Sequence, residues 1–124
     1  GLNDKYNLIY LIQTYEQTGN YQIALEYTVE YLKYFPDNYL INILASNICS
    51  QMEMWADAIR FLDKAIKITP SLDALYLYKS TYLLHLGEQK KAKMVLKEGI
   101  KKTKDPEKDL GNELNRLNDL YPNI

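Results

Sequence analysis

A repeat of 34 residues runs through this sequence and constrains its fold more than any other feature. Residues 39–70 show the unit: two amphipathic segments lie on either side of a short break and are closed by Pro70. A shift of 34 residues in either direction finds the same residue type, because Ala58 becomes Ala24 or Ala92. An internal period of this length, with two helical segments in each period, is typical of stacked helix pairs.

Apolar spacing and turn residues predict six helices within the repeats. Their predicted ranges are residues 4–17, 21–34, 38–51, 55–68, 72–86 and 88–102. Gly19 and Gly87 fall just after the ends of helices, where a left-handed backbone is usual. Asp37 is the predicted cap of the third helix.

A seventh helix is predicted to begin at Asp105-Pro106-Glu107, since aspartate caps helices and proline suits the first turn. Its leucines lie on one stripe, and Leu110, Leu114 and Leu117 are expected to pack on the sixth helix. A stack of helix pairs leaves its last apolar face uncovered, so we expect this helix to cover it.

Composition excludes several classes of protein. The chain has 124 residues, enough for one domain with a core, and its net charge of -1 provides no general attraction to nucleic acid or anionic membranes. No apolar run approaches the roughly 18 residues that a membrane span needs, and no signal-peptide pattern opens the sequence. Cys49 is the single cysteine, so an internal disulfide is impossible and a reducing, cytoplasmic location is favoured.

The repeat resembles the tetratricopeptide-repeat (TPR) family over nearly the whole chain. The family's second-helix pattern, alanine followed four residues later by a large apolar residue, falls on Ala24/Thr28, Ala58/Leu62 and Ala92/Leu96. The first-helix pattern falls more loosely on Leu8, Leu11, Ile12 and Tyr15, on Asn42, Ala45, Ser46 and Cys49, and on Tyr76, Lys79, Ser80 and Leu83. Thr28 and Lys79 depart from the pattern, which usually has apolar residues there.

This resemblance implies an all-α fold, a right-handed superhelical stack of antiparallel helix pairs with seven helices. It implies a single domain over residues 1–124, with repeats at about 5–38, 39–72 and 73–106 and a capping helix at 106–121. A helical bundle without repeats is the alternative fold.

The resemblance also implies a concave groove that is lined by the first helix of each pair and binds a peptide or a partner segment. The implied groove residues are Tyr6, Ile9, Tyr10, Gln13, Gln17, Leu40, Ile43, Leu44, Asn47, Gln51, Ala74, Leu77, Tyr78, Thr81 and His85. This lining is apolar and rich in amides, with almost no charge, which suits an extended or helical peptide with apolar anchors.

One branch of the family binds the acidic C-terminal tail of heat-shock chaperones through Lys, Asn and Arg in this groove. The corresponding positions here are Ile9, Gln13, Leu44, Ala74 and Tyr78. None of them is basic, so we do not expect that carboxylate clamp.

Residues typical of catalytic or metal sites are missing from the sequence. It contains no Gly-rich phosphate loop, no Cys-x-x-Cys and no pair of histidines. His85 and Cys49 are the only candidates for a base and a thiol nucleophile, and a buried core thiol with a groove or surface histidine is the favoured interpretation. We therefore expect no enzyme activity, no cofactor and no metal.

Several partners and roles stay open. The lysines of the sixth helix are interpreted as a solvated outer face, although a basic stripe for an acidic partner or nucleic acid is the alternative. They are Lys90, Lys93, Lys97, Lys101 and Lys104.

The favoured function is that of a protein-interaction module. We expect no binding of nucleic acid and no membrane span. The first alternative is a structural subunit that self-associates through its tyrosine-rich first repeat, or a fragment of a longer array. The second alternative is a chaperone of the bacterial secretion type. Such chaperones usually carry an N-terminal dimerising helix, and the absence of one before Asp4 argues against this alternative.

Overall fold

The computed structural model describes residues 2–124, and the side chains from Lys5 onward. Within this range the chain forms seven α-helices and no strand, which confirms the predicted all-α class and the number of helices. The helices are α1 (Leu2–Gln17), α2 (Tyr21–Tyr34), α3 (Tyr39–Gln51), α4 (Trp55–Ile68), α5 (Asp73–His85), α6 (Gln89–Thr103) and α7 (Asp109–Leu120). The predicted bounds of α2 and α4 are correct to the residue.

The chain divides into two compact units, one extending to Ala65 and the other beginning at Ile66. The first unit contains α1 to α3 and most of α4, and the second contains the end of α4 with α5 to α7. The organisation of residues 1–124 as one domain with three repeats stays a prediction.

The same turn joins the two helices of each predicted pair. Its central residue has a left-handed backbone, with φ of +80° at Gly19, +58° at Glu53 and +76° at Gly87. The next amide bonds back to the preceding helix: Asn20 N to Tyr15 O at 2.8 Å, Met54 N to Cys49 O at 2.9 Å, and Glu88 N to Leu83 O at 2.9 Å. These central residues are 34 positions apart, so the sequence period is also a period of backbone geometry.

The core of the first unit is built by α1, α2 and α3. Its buried cluster contains Ile12, Ala24, Tyr31, Ile41 and Ile48. Tyr15 on α1 stacks on Tyr27 of α2 with 5.7 Å between ring centroids. The hydroxyl of Tyr31 accepts a hydrogen bond from Asn38 Nδ2 at 2.8 Å, which ties α2 to the start of α3. The core therefore combines apolar packing with a few hydrogen bonds between helices.

Two polar residues in or beside this core make hydrogen bonds to the backbone. Thr28 is fully buried, and its hydroxyl donates to Ala24 O at 2.7 Å. Asn38, rather than the predicted Asp37, caps α3, because its Oδ1 accepts from Ile41 N at 3.1 Å. An asparagine one residue closer to the helix can reach that amide.

Close contact between α3 and α4 occurs at a small residue. Ala58 has no exposed surface, and its carbonyl oxygen accepts a hydrogen bond from Ser46 Oγ at 2.8 Å. A side chain of α3 can reach the backbone of α4 only if the two helices approach closely. The recurring alanine provides that space.

In the second unit, α7 packs on α6, as predicted, and also contacts α5. Leu110 and Leu117 are fully buried and Leu114 is half-buried. A Cβ atom added at Gly99 would lie 2.9 Å from Leu110 Cδ1 and 2.7 Å from Tyr76 Cγ. The missing side chain of Gly99 therefore lets α5, α6 and α7 meet at one point.

The predicted start of α7 is wrong, although Asp105 is still its cap. The helix begins at Asp109, and the chain before it turns through left-handed backbone at Lys104, Asp105 and Lys108. This turn brings the Asp105 carboxylate back over the helix, where Oδ1 accepts from Leu110 N at 3.1 Å and Oδ2 from Gly111 N at 2.8 Å. Lys108 occupies the cap position but has no acceptor, so a carboxylate from outside the helix bonds the free amides.

Lys93 does not belong to a solvated lysine face, contrary to the sequence prediction. Only 3% of its surface is exposed. Its Nζ donates to Tyr121 O and, at 2.7 Å, to Ile124 O. The other lysines of the predicted face, such as Lys97, are exposed. Lys93 instead holds the segment after α7 against α6.

We expect Ala58→Leu to lower the free energy of unfolding by about 1–3 kcal/mol, because leucine would overpack the contact between α3 and α4. Ala56→Leu is the matched control, since Ala56 lies on the same helix but is exposed. Urea unfolding followed by circular dichroism measures both. Equal stability of the two variants would show that α3 and α4 do not depend on a small residue at Ala58.

We expect Lys93→Met to lower the free energy of unfolding by about 1–3 kcal/mol, because it keeps the buried stem but removes two charge-assisted hydrogen bonds. Lys97→Met on the exposed side should stay within about 0.5 kcal/mol of the original chain. Hydrogen exchange at the amides of residues 121–124 should accelerate only in the first variant. Similar exchange in both variants would contradict the role of Lys93.

Candidate functional site

The outer face of α1 exposes aromatic and amide side chains. Tyr6 and Tyr10 are 64% and 68% exposed. Gln13 and Gln17 continue this exposed face toward the end of the helix, whereas Ile9 is half-buried and packs on the core of the first unit. The predicted tyrosine anchors of α1 are thus accessible from solvent.

The corresponding face of α3 is exposed at its two ends and closed in the middle. Leu40 is 62% exposed, and Asn47 and Gln51 are also exposed. Ile43 and Leu44 are half-buried, and Leu44 packs on the core of the first unit. Only part of this predicted set is available to a ligand.

In the second unit, α5 carries the remaining predicted residues. Tyr78 is 45% exposed, and Thr81 and His85 are exposed on the same helix. The Thr81 hydroxyl donates to Leu77 O at 3.0 Å, and Leu77 itself is half-buried. We call these residues of α5 and the predicted positions on α1 and α3 the first-helix faces. None of the residues in these faces is Lys, Arg, Asp or Glu.

A cavity of about 370 Å³ lies between α2 and α4, and no residue of the first-helix faces belongs to its lining. It is lined by Val29, Leu32, Lys33, Arg60, Phe61 and Lys64, and we call it the basic cleft. Sequence reasoning missed it, because residues 1–62 contain only 3 basic side chains against 7 acidic ones. The basic positions also do not recur with the period, since 34 residues before Lys64 stands Glu30.

A second cavity, of about 500 Å³, lies where α2 ends and α3 begins. Aromatic side chains dominate its lining, which consists of Lys5, Tyr31, Tyr34, Phe35, Pro36, Asp37, Asn38 and Tyr39. The ammonium group of Lys5 lies 4.9 Å from the centroid of the Phe35 ring. The rings of Tyr31 and Phe35 pack against each other with 4.9 Å between their centroids.

Cys49 is buried as predicted and is unsuited to nucleophilic chemistry. Burial raises the pKa of the Cys49 thiol to about 11; the nearby Asp57 carboxylate adds to the rise, and Arg60 opposes it. A thiol nucleophile requires the opposite shift, because the thiolate is the reactive form. Among the described residues no group of three His, Cys, Asp or Glu side chains could hold a metal ion.

Solved structures similar to this chain share one architecture. The crystal structure of MamA superposes with a TM-score of 0.82 at 16% identity, over 97% of this chain and 65% of that chain. The TPR2B domain of yeast Sti1 in complex with an Hsp70 peptide gives 0.74 at 17% identity, over 92% of each chain. The first TPR domain of human RPAP3 gives 0.75 at 16% identity, over 96% of this chain and 93% of that one.

The chain has the TPR fold. No protein-family profile and no curated protein matches the sequence. Because the similar structures are only 16–17% identical to this chain, the similarity establishes its architecture alone. The chain spans 65% of the length of the MamA chain. Within the described range, no helix is both long and apolar enough to cross a membrane.

We expect Cys49 in the folded chain to react with iodoacetamide more than 100-fold more slowly at about pH 8 than in the urea-unfolded chain. The Cys49 thiol ionises at a lower pH in the unfolded chain than in the folded chain. The free energy of unfolding should therefore fall as the pH rises from about 8.5 toward 11. Mass spectrometry measures the alkylation, and Cys49→Ala gives the background for the pH dependence. Rapid alkylation of the folded chain would contradict a buried, protonated thiol.

Proposed function

We propose that this chain is a non-catalytic protein-interaction module that binds a peptide or a segment of a partner protein along its first-helix faces. The observation that carries the proposal is the exposure of large apolar side chains there. Tyr6, Tyr10 and Leu40 each expose more than 60% of their surface. None of these three side chains is needed to fill the core of the first unit.

Tyrosine suits such a role for physical reasons. Its ring offers a large apolar area, its hydroxyl can bond a ligand, and only two torsions are frozen on binding. Aromatic anchors of this type dominate the binding energy of interfaces. The amide side chains of Gln13, Asn47 and Gln51 add donors and acceptors that fit the backbone of a bound segment.

Structures with the same fold support the proposal. Two of them hold peptides: the first TPR of Spaghetti (RPAP3) is bound to the HSP90 peptide SRMEEVD, and the second TPR domain of human RPAP3 is in complex with the HSP70 peptide SGPTIEEVD. The present chain lacks cations on its first-helix faces, so we propose a different ligand chemistry. Apolar anchors, rather than a terminal carboxylate, would provide most of the binding energy.

Self-association is the second candidate function, and one observation favours it. Tyr6, Tyr10 and Tyr34 are all more than 60% exposed and all belong to the first predicted repeat. A second copy that buried them would remove a large aromatic surface from water. Sedimentation equilibrium without any ligand distinguishes self-association from peptide binding. A cytoplasmic location would be compatible with both functions.

We expect Tyr10→Ala combined with Tyr78→Ala to weaken peptide binding at least tenfold, about 1.4 kcal/mol. Both side chains are exposed, so the melting temperature should change little. Peptides are selected from a random phage-displayed library on the unmodified chain, and their affinity for both proteins is measured by calorimetry.

Lys90→Ala combined with Lys97→Ala is the control, because both lysines are exposed on α6 and lie outside the first-helix faces. Unchanged binding by the tyrosine variant would exclude these faces as the site. Unfolding of the tyrosine variant would instead show that Tyr10 and Tyr78 belong to the core.

A further inference from the structure

The basic cleft concentrates the positive charge of the first unit. Residues 1–65 contain four basic side chains and eight acidic ones. Three of the four basic residues, Lys33, Arg60 and Lys64, line this one cavity, and no carboxylate belongs to its lining. Lys5 is the fourth. Most of the cations of the first unit therefore meet at one cavity, although the overall charge of residues 1–65 is negative.

The cations of the basic cleft can exchange their present partners for a ligand. Lys33 Nζ lies 3.3 Å from a carboxylate oxygen of Glu30, and Arg60 pairs with Asp57. Both pairs join residues three apart on one helix, and the side chains of Lys33 and Arg60 are 65% and 72% exposed. Exposed pairs of this kind contribute little to stability, so a carboxylate from a ligand can compete with them.

Between these cations the basic cleft presents apolar surface. Val29 is 43% exposed, while Leu32 and Phe61 are half-buried. Lys64 Nζ lies 5.8 Å from the centroid of the Phe61 ring, so its charge stands beside the apolar surface rather than away from it. The site thus combines cations with apolar surface; we call Val29, Leu32 and Phe61 its apolar floor.

We propose that the basic cleft binds an acidic peptide segment with a large apolar anchor. Carboxylates of the segment pair with Lys33, Arg60 and Lys64, and a leucine or phenylalanine side chain packs against Val29, Leu32 and Phe61. The two walls are helices, α2 and α4, and the groove between two helices is a shape that accepts a short helical or extended segment.

The apolar floor of the basic cleft favours a peptide over a nucleic acid as its ligand. A phosphate backbone would satisfy the cations but leave Val29 and Leu32 without a partner. Single-stranded nucleic acids also require exposed aromatic rings on which bases stack, and the only ring of the basic cleft, Phe61, is half-buried and neighboured by Lys64. An acidic peptide complements both the charge and the apolar surface.

This site is separate from the first-helix faces, because none of their residues lines the basic cleft. The acidic-peptide proposal therefore goes beyond the proposed function. The chain can have either site without the other.

The test uses the full isotope-labelled chain and an acetylated, amidated peptide in which leucine and phenylalanine alternate with pairs of glutamates. Titration should shift the backbone amides of residues 29–33 and 60–64 in a saturable manner, with a Kd below about 1 mM. Added salt should weaken the binding, since the cations of the basic cleft are exposed. A peptide with serine in place of its apolar residues should bind at least tenfold more weakly.

Charge-reversed variants separate the basic cleft from net charge. We expect Lys33→Glu combined with Lys64→Glu to weaken binding of the glutamate–leucine–phenylalanine peptide at least tenfold. Lys90→Glu combined with Lys97→Glu changes the net charge equally at exposed positions of α6 and should leave the affinity unchanged. Val29→Ser, at an exposed position, tests the apolar floor and carries the experiment if the charge-reversed variant does not fold.

Three results would overturn the proposal. They are the absence of saturable shifts, shifts confined to the first-helix faces, and equal weakening by the two charge-reversed variants. Tighter binding of a polyuridine oligonucleotide than of the peptide would assign the basic cleft to nucleic acid instead.

Discussion

Close approach of two helix backbones at a small residue is the constraint on which the rest of this structure depends. Ala24, Ala58 and Ala92 are all fully buried, and at Ala58 the contact is close enough for a serine hydroxyl of α3 to bond the carbonyl of α4. Gly99 serves the same purpose where α6 meets Tyr76 and Leu110. Because each first helix turns one face to its partner, another face is left outward, and this face carries the candidate binding residues.

The two candidate surfaces differ in chemistry and would act differently. The first-helix faces are uncharged, so burial of area and hydrogen bonds would determine affinity there, largely through the dissociation rate. The basic cleft is lined by three cations, which would accelerate the encounter with an acidic partner, and this attraction would weaken in salt. One chain could thus hold one segment of a partner by packing and attract another by charge.

The sequence predicts the helices of this chain better than its contacts. Helices α2 and α4 follow from apolar spacing and turn residues, which are local properties. The start of α7 could not be predicted, because Asp105 caps the helix through a turn of left-handed residues that no propensity favours. Lys93 looked like its neighbours on α6, since nothing local shows that the segment after α7 returns to it. The basic cleft is lined by residues of both α2 and α4, so its charged residues lie far apart in the sequence.

Glu53 stands where the other two turns have glycine, and its backbone is left-handed like theirs. A residue with a Cβ atom pays about 1–2 kcal/mol for that conformation. The glutamate lies two residues before α4, where a negative charge is favoured by the helix dipole. The favourable charge near the start of α4 offsets part of the cost of the left-handed backbone at Glu53. Glycine in place of Glu53 would remove that backbone cost, so this turn is a position where one substitution should stabilise the chain.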